Sequence, residues 1–247
     1  MSFFQAIFLA FIQGLTEFLP VSSSGHLVIF QKLFNLTEPP VFFDILVHVG
    51  TLGAILVYFR EALVKMTKST LWLIIVGTIP AVIVGLFLQN YLSLIFNSLK
   101  LVGFTLLITG LFLFSTKKVK KAKRQFNQLK WPDALWVGFF QSLAILPGIS
   151  RSGATMVAGM WRQFDQKTAF QFSFFLAIPA ILGALALQLP DLIVSPCDHL
   201  EQGLLGMVIA GGVGYLALKM LEKTLVRAKL WLFGFYCLVL GLIVLLI

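Results

Sequence analysis

Charge is scarce in this chain of 247 residues. Asp, Glu, Lys and Arg together make up 12% of it, about half of what soluble domains carry. Such a chain cannot present a charged surface to water on all sides. Its 59% hydrophobic content and mean hydropathy of +0.95 make it an integral membrane protein. Cysteine is scarcer still. Cys197 falls in a polar loop and Cys237 in a late apolar run, so the two are expected at different depths, and neither a disulfide framework nor a cysteine metal cluster is supported. The N-terminal apolar stretch lacks a basic leader, so it is expected to belong to the mature fold rather than to a signal peptide. The net charge of +9 is concentrated in a juxtamembrane run from Lys117 to Arg124. Such a run sets topology and touches anionic lipid, and implies no nucleic acid.

Long uninterrupted apolar runs are present in number. A span needs roughly 20 mainly apolar residues, and six stretches qualify, at about 41–60, 70–89, 99–115, 168–189, 202–221 and 229–247. Residues 2–34 and 133–163 are instead pairs of short apolar arms around a polar break. That is the pattern of a re-entrant hairpin, tolerated only where it is buried in protein or faces water. The expected fold is therefore an all-α polytopic membrane protein with six transmembrane helices and two re-entrant helical hairpins. Residues 1–115 and 133–247 each supply one hairpin and three spans, joined by the basic loop 116–132.

Cytoplasmic loops collect Lys and Arg, which orients this arrangement. With loop 116–132 inside, 16 of the 19 basic residues fall on the same side, and Lys32, Lys100 and Arg151 are the exceptions. The opposite loops carry Glu38, Asp191, Asp198 and Glu201. With six spans between them, the first hairpin enters from outside and the second from the cytoplasm, so the two halves form an inverted-topology repeat. That is a frequent plan of secondary transporters, whose broken helices aim positive N-termini at anions near the midplane.

The two breaks share a grammar, 128 residues apart. Gln13-Gly-Leu-Thr-Glu17-Phe-Leu-Pro20-Val-Ser22-Ser23-Ser24-Gly25-His26 is matched by Gln141-Ser-Leu-Ala-Ile-Leu-Pro147-Gly-Ile-Ser150-Arg151-Ser152-Gly153-Ala-Thr155. Polar groups in hydrocarbon are costly and mark functional sites. The helix starts after Ser22 to Gly25 and Ser150 to Gly153 offer backbone N–H donors and a positive dipole end, a setting for an anion such as phosphate. Gln13 and Glu17 lie four apart on one helix face. Glu17 is the only carboxylate of the first hairpin, and Arg151, the only basic residue of the second break, has the planar fork suited to phosphate oxygens. The bland reading of this pair is a buried salt bridge. His26 suits nucleophilic or acid–base work, or simple helix packing. Ser22, Ser23, Ser24, Ser150, Ser152 and Thr155 read as phosphate donors or helix caps, and one of the serines becomes a nucleophile if His26 or Glu17 takes its proton. Asp44 and His48 share a face of the first full span, where a metal or proton role is open and ordinary interfacial hydrogen bonding is the favoured reading. His199 reads as solvated, and the 25 Phe residues as lipid-facing and packing surface.

The motifs at 13–26 and 147–155, with Gly50-Thr51-Leu52 and Phe172-Ser-Phe-Phe-Leu-Ala-Ile-Pro179-Ala, resemble the bacitracin-resistance family of undecaprenyl-diphosphate phosphatases across essentially the whole chain. The resemblance implies hydrolysis of a polyprenyl diphosphate lipid to the monophosphate in the cytoplasmic membrane of a bacterium, with a divalent cation, Mg²⁺ or Ca²⁺, as cofactor. It further implies a role in recycling the lipid carrier of cell-wall synthesis, and a cleft opening to the outer face. Its acidic motif falls on Gln13 and Glu17, its Ser and His on Ser23 and His26, and its phosphate-binding arginine on Arg151. An acidic residue is common in the family where this chain has Gln13, so Glu17 takes the leading metal-binding role and Gln13 a supporting one. Ser22, Ser24, Gly25, Ser150, Ser152, Gly153 and Thr155 are expected around the diphosphate, membrane lipids around the spans, and a homodimer is left open. A similarity to the phosphatidate-phosphatase type of membrane enzyme fails, because Val157 stands where that pattern has its nucleophilic His. The alternative from another class is a transporter or flippase of an anionic lipid or small anion.

Overall fold

The computed structural model describes residues 1–36, 41–119, 123–194, 200–226 and 229–246. Glu38, Lys120, Lys121, Cys197, Asp198, His199 and Arg227 lie outside the described residues. Within the described residues the chain is helical apart from turns and one isolated bridge between Arg124 and Phe164.

Each polar break interrupts a helix where the sequence dictates. Helix α1 (Phe3–Phe18) starts at a capping box formed by Ser2 and Gln5. It stops at Leu19, which precedes Pro20 and so turns extended, with φ −63° and ψ 141°. Ser22 then takes a positive φ of 71° and caps α2 (Ser23–Leu33) through the Gly25 amide. The second break repeats the device. Helix α8 (Trp131–Leu143) ends ahead of Pro147, Gly148 turns the chain at φ 95°, and Ser150 caps α9 (Arg151–Trp161) through the Gly153 amide.

After the first hairpin come α3 (Val41–Tyr58), the short α4 (Arg60–Val64), α5 (Lys68–Leu88), the short α6 (Leu92–Phe96) and α7 (Leu99–Ser115). After the second come α10 (Gln166–Val194), α11 (Leu200–Val226) and α12 (Leu230–Leu246). Among the described residues, four helices are long and apolar enough to cross a membrane, within Lys68–Tyr91, Leu99–Lys118, Gln166–Gln188 and Leu200–Leu225. Phe42–Tyr58 and Leu230–Leu246 are shorter apolar helices, as is α1. Large apolar side chains such as Phe87, Leu111, Val208, Leu216 and Phe235 stand exposed on these helices, which a water-facing surface would not tolerate on this scale.

Packing couples one half of the chain to the other. α1 lies along α11 and α8 along α5, while α3 meets α10 and α7 pairs with α12. Small residues permit these approaches, as expected where lipid gives helices no hydrophobic drive to associate. On α7 and α12, Gly103, Gly110, Gly234 and Gly241 face one another. A Cβ on Gly241 would fall 2.8 Å from the Gly103 carbonyl, and one on Gly234 would fall 2.9 Å from that of Gly110. An aromatic core of Phe59, Phe170, Phe174 and Phe175 fills the space near α1, with Phe18 edge-on to Phe174 at 5.6 Å.

The basic loop is anchored at the start of α8. The buried Asp133 carboxylate accepts from Arg124 at 2.6 Å and from the Lys130 amide at 3.0 Å, and pairs with Arg162 at 2.7 Å. Backbone bonds from Arg124 to Gln163 and from Asp165 to Arg124 complete the joint.

Candidate active site

The two breaks meet. The Gly148 amide of the second donates to the Ser22 hydroxyl oxygen of the first at 3.1 Å, and that same oxygen caps α2. Thr105 and Thr109 of α7 hold the second break in place. Their hydroxyls donate to the carbonyls of Pro147 and Gly148, and the Ser150 amide donates to Thr109. Gly148 has no alternative here, since a Cβ would lie 2.0 Å from Thr105 Oγ1.

Joining the breaks brings Glu17 and Arg151 together from opposite halves of the chain. Arg151 Nη2 donates to Glu17 Oε1 at 2.7 Å, and both side chains are largely buried. Ser23 donates its hydroxyl to Glu17 Oε2 at 2.7 Å, and Gln13 Nε2 donates to the same oxygen at 3.1 Å. The guanidinium lies over the Phe174 ring at 5.7 Å. Two groups in the cluster are buried without a protein partner, Arg151 Nη1 and Gln13 Oε1. A buried orphan polar atom costs about 1–3 kcal/mol, so a donor and an acceptor held unpaired beside an ion pair are suited to a ligand.

The other expected residues divide between lining and scaffold. Ser150 caps α9 and lies 3.3 Å from Ser152, whose hydroxyl donates to the Leu19 carbonyl at 3.4 Å. Thr155 is buried against Ser173 at 2.6 Å. Ser24 is 3.3 Å from Ser22, and Gly25 and Gly153 let their helix starts approach the opposite break. Capping is thus what Ser22 and Ser150 do. The first amides of α2 and α9 have no intrahelical acceptor and flank the Glu17–Arg151 pair. Gln141, the counterpart of Gln13, is buried with both amide atoms unpaired.

His26 has its hydrogen bonds elsewhere. Its Nδ1 faces the Ser22 carbonyl at 2.7 Å and its Nε2 the Tyr236 hydroxyl at 2.7 Å, with the two rings stacked at 5.7 Å. A carbonyl only accepts, so Nδ1 carries hydrogen and Nε2 accepts from Tyr236 when the ring is neutral. Of the two residues weighed as acceptors for the Ser23 proton, Glu17 is the one in contact with it.

Sequence reasoning missed Tyr236, and for His48 it ranked a metal or proton role below ordinary interfacial hydrogen bonding. Tyr236 arrives from the last helix, 210 positions from His26, with nothing in its apolar run to mark it. His48 reaches the site from α3, its Nε2 4.0 Å from Glu17 Oε2 and its Nδ1 2.6 Å from the Asp44 carbonyl. The Asp44 carboxylate itself accepts from Gln31 at 3.2 Å. The signal for His48 was its place in an apolar run on the Asp44 face. Among the described residues no group of three or more His, Cys, Asp and Glu side chains converges to hold a metal. The single carboxylate of Glu17 does fit the sparse mode in which Mg²⁺ is bound through one or two carboxylates plus substrate phosphates.

The chain matches the family described as bacitracin resistance protein BacA over residues 6–243. It is 38% identical to undecaprenyl-diphosphatase 4 of Bacillus thuringiensis (strain Al Hakam), over 99% of this chain and 96% of the relative. It is 38% identical to an undecaprenyl-diphosphatase of Halothermothrix orenii, over 100% of this chain and 98% of the relative. An undecaprenyl-diphosphatase of Desulfosudis oleivorans is 42% identical, over 96% and 95%.

Proposed function

The chain belongs to the bacitracin resistance protein BacA family, and we propose that it hydrolyses undecaprenyl diphosphate to undecaprenyl phosphate and inorganic phosphate at the junction of its two breaks. The observation that carries this reading is Glu17 held between Ser23 and Arg151, each at 2.7 Å, with Arg151 Nη1 buried and unpaired. A structural salt bridge alone would leave no reason for the orphan donor or for a serine hydroxyl on the carboxylate.

In this mechanism the diphosphate lies on the helix starts, its terminal phosphoryl oxygens taken by Arg151 and the first amides of α2 and α9. These donors are preorganised for the charge that develops in transfer. Ser23 Oγ bonds to the terminal phosphorus while the bridging P–O bond breaks. The electrons of that bond leave with the lipid monophosphate, and the serine proton passes to the Glu17 carboxylate. Water then displaces the serine oxygen, which recovers its proton from Glu17 as inorganic phosphate departs. His26, held by Ser22 and Tyr236, keeps the positive-φ turn that aims Ser23. The divalent cation expected of the family would be held by Glu17, Gln13 Oε1 and the substrate phosphates, where it would neutralise diphosphate charge. The prenyl tail lies along exposed apolar helix faces, so shorter prenyl diphosphates are also expected to be substrates.

The inverted repeat belongs to this reading. It is supported by the exchange of partners between the halves, α1 with α11 as α8 with α5, and by the cross-pairs α3–α10 and α7–α12. Six spans, two re-entrant hairpins, residence in the bacterial cytoplasmic membrane and a cleft open to the outer face follow from it and from the charge of the loops. The same exchange of partners would serve a transporter of the lipid carrier.

Phosphate release from undecaprenyl diphosphate by detergent-purified protein, with and without Mg²⁺ or Ca²⁺, tests the reading beside Glu17→Ala and Arg151→Ala. Cation-dependent release abolished in both variants is expected. No release by folded native protein, with carrier movement across proteoliposomes, would transfer the assignment to the transporter.

A further inference from the structure

We infer that His48 is a ligand of the divalent cation at this site, so that Glu17, His48 and Gln13 form a preformed mixed oxygen and nitrogen cation site in a chain with one carboxylate in its catalytic cluster. The inference deepens the phosphatase reading and rests on it for the ion's purpose.

Three observations carry it. First, His48 Nδ1 is 2.6 Å from the Asp44 carbonyl, which only accepts, so Nδ1 carries the hydrogen and Nε2 of the neutral ring holds the lone pair. Metal-binding histidines characteristically donate their second ring N–H to such a carbonyl or carboxylate, which fixes tautomer and orientation. Second, Nε2 lies 4.0 Å from Glu17 Oε2. A spacing of 4.0 Å is too long for a direct hydrogen bond. It matches the width of one cation with bonds of about 2.0–2.1 Å on each side.

Third, the Gln13 side chain is fully buried and Oε1 has no partner, while Nε2 of the same amide donates to Glu17 Oε2 at 3.1 Å. Turning the amide over by half a turn exchanges its two atoms. It would bring the unpaired oxygen to the carboxylate at a spacing close to the roughly 3.0 Å that separates neighbouring ligands on an octahedral ion with 2.1 Å bonds. The amide is thus a donor to Glu17 without the cation and an oxygen ligand with it. Ser23 Oγ, 2.7 Å from the same carboxylate oxygen, stands next to the ion. The imidazole gives the site a nitrogen that a pure oxygen cage lacks, and Mn²⁺, which takes the same oxygen ligands as Mg²⁺, is a paramagnetic probe able to report that nitrogen.

The test uses the full chain in detergent, labelled with ¹⁵N-histidine, with Mn²⁺ and no substrate, read by electron spin echo modulation. One bound Mn²⁺ coupled to one histidine nitrogen is expected. His48→Gln should abolish that coupling and weaken Mn²⁺ binding by about tenfold or more. The chain has three histidines, so the double variant His26→Gln/His199→Gln should keep the coupling and assign it to His48 even if His48→Gln does not fold. Absence of Mn²⁺ binding without substrate, bound Mn²⁺ with no histidine coupling, coupling that survives His48→Gln, or its loss in the double variant would each overturn the inference. Protein that binds Mn²⁺ through His48 yet releases no phosphate would refute the phosphatase reading and leave the cation site standing.

Discussion

Replacing Arg151 by lysine keeps a positive charge beside Glu17 and removes the fork. In the native protein one terminal nitrogen holds Glu17 Oε1 at 2.7 Å and the other is buried and unpaired. A single ammonium cannot serve both directions. Held by Glu17, it abandons the phosphate, and the lost charge-assisted hydrogen bond is worth about 1.5–3 kcal/mol in binding. Because that donor meets charge developing on the transferred phosphoryl group, loss of one preorganised donor should lower kcat about 10²–10³-fold. Folding should suffer much less than in Arg151→Ala, where Glu17 is left buried without its counter-charge at a cost of about 3–5 kcal/mol. Initial rates of phosphate release from undecaprenyl diphosphate in micelles, with size exclusion and thermal unfolding as folding controls, measure both effects. An Arg151→Lys protein that is folded and retains kcat within about threefold of native would refute the reasoning, because a second, separate donor direction would then be unnecessary.

Other perturbations address the supports of the site. Tyr236→Phe leaves the buried His26 Nε2 without its donor. It should cost about 1–3 kcal/mol in stability or activity, with kcat falling more than KM rises, as read in parallel melts and kinetics. Gly148→Ala places a Cβ 2.0 Å from Thr105 Oγ1 at a φ of 95°. It should prevent recovery of folded protein or cost several kcal/mol, whereas Gly183→Ala, where a Cβ meets nothing within 4 Å, should be tolerated. Asp133→Ala frees Arg124 and Arg162, so trypsin should cut after Arg124 much faster than in the native protein, with phosphatase activity changing far less than in Arg151→Lys.

The helix–break–helix units were legible because Pro, Gly and Ser act locally. Pro20 and Pro147 stop α1 and α8, and Ser22 and Ser150 start α2 and α9, within a few residues of the expected arms. The pairing of Glu17 with Arg151 was legible for another reason: two lone opposite charges in apolar sequence have few other partners. Helix rotation was not legible. α5 and α7 are apolar on nearly every side, so no stripe distinguishes a lipid-facing surface from a packed one. Which face of α3 turns His48 towards Glu17, and which face of α12 offers Tyr236, depends on close contacts such as Gly50 against Met207 and Gly110 against Gly234. Small residues permit those contacts without announcing their partners. Asp133 was likewise invisible as an anchor, since its two arginines lie 9 and 29 residues away.

The most direct test of the account is a single turnover on undecaprenyl diphosphate labelled with ³²P in its terminal phosphate, run with native protein and with folded Ser23→Ala. The account predicts a transient label on Ser23 followed by free phosphate in the native protein, and neither in the variant. Release of labelled phosphate by Ser23→Ala at the native rate would contradict it.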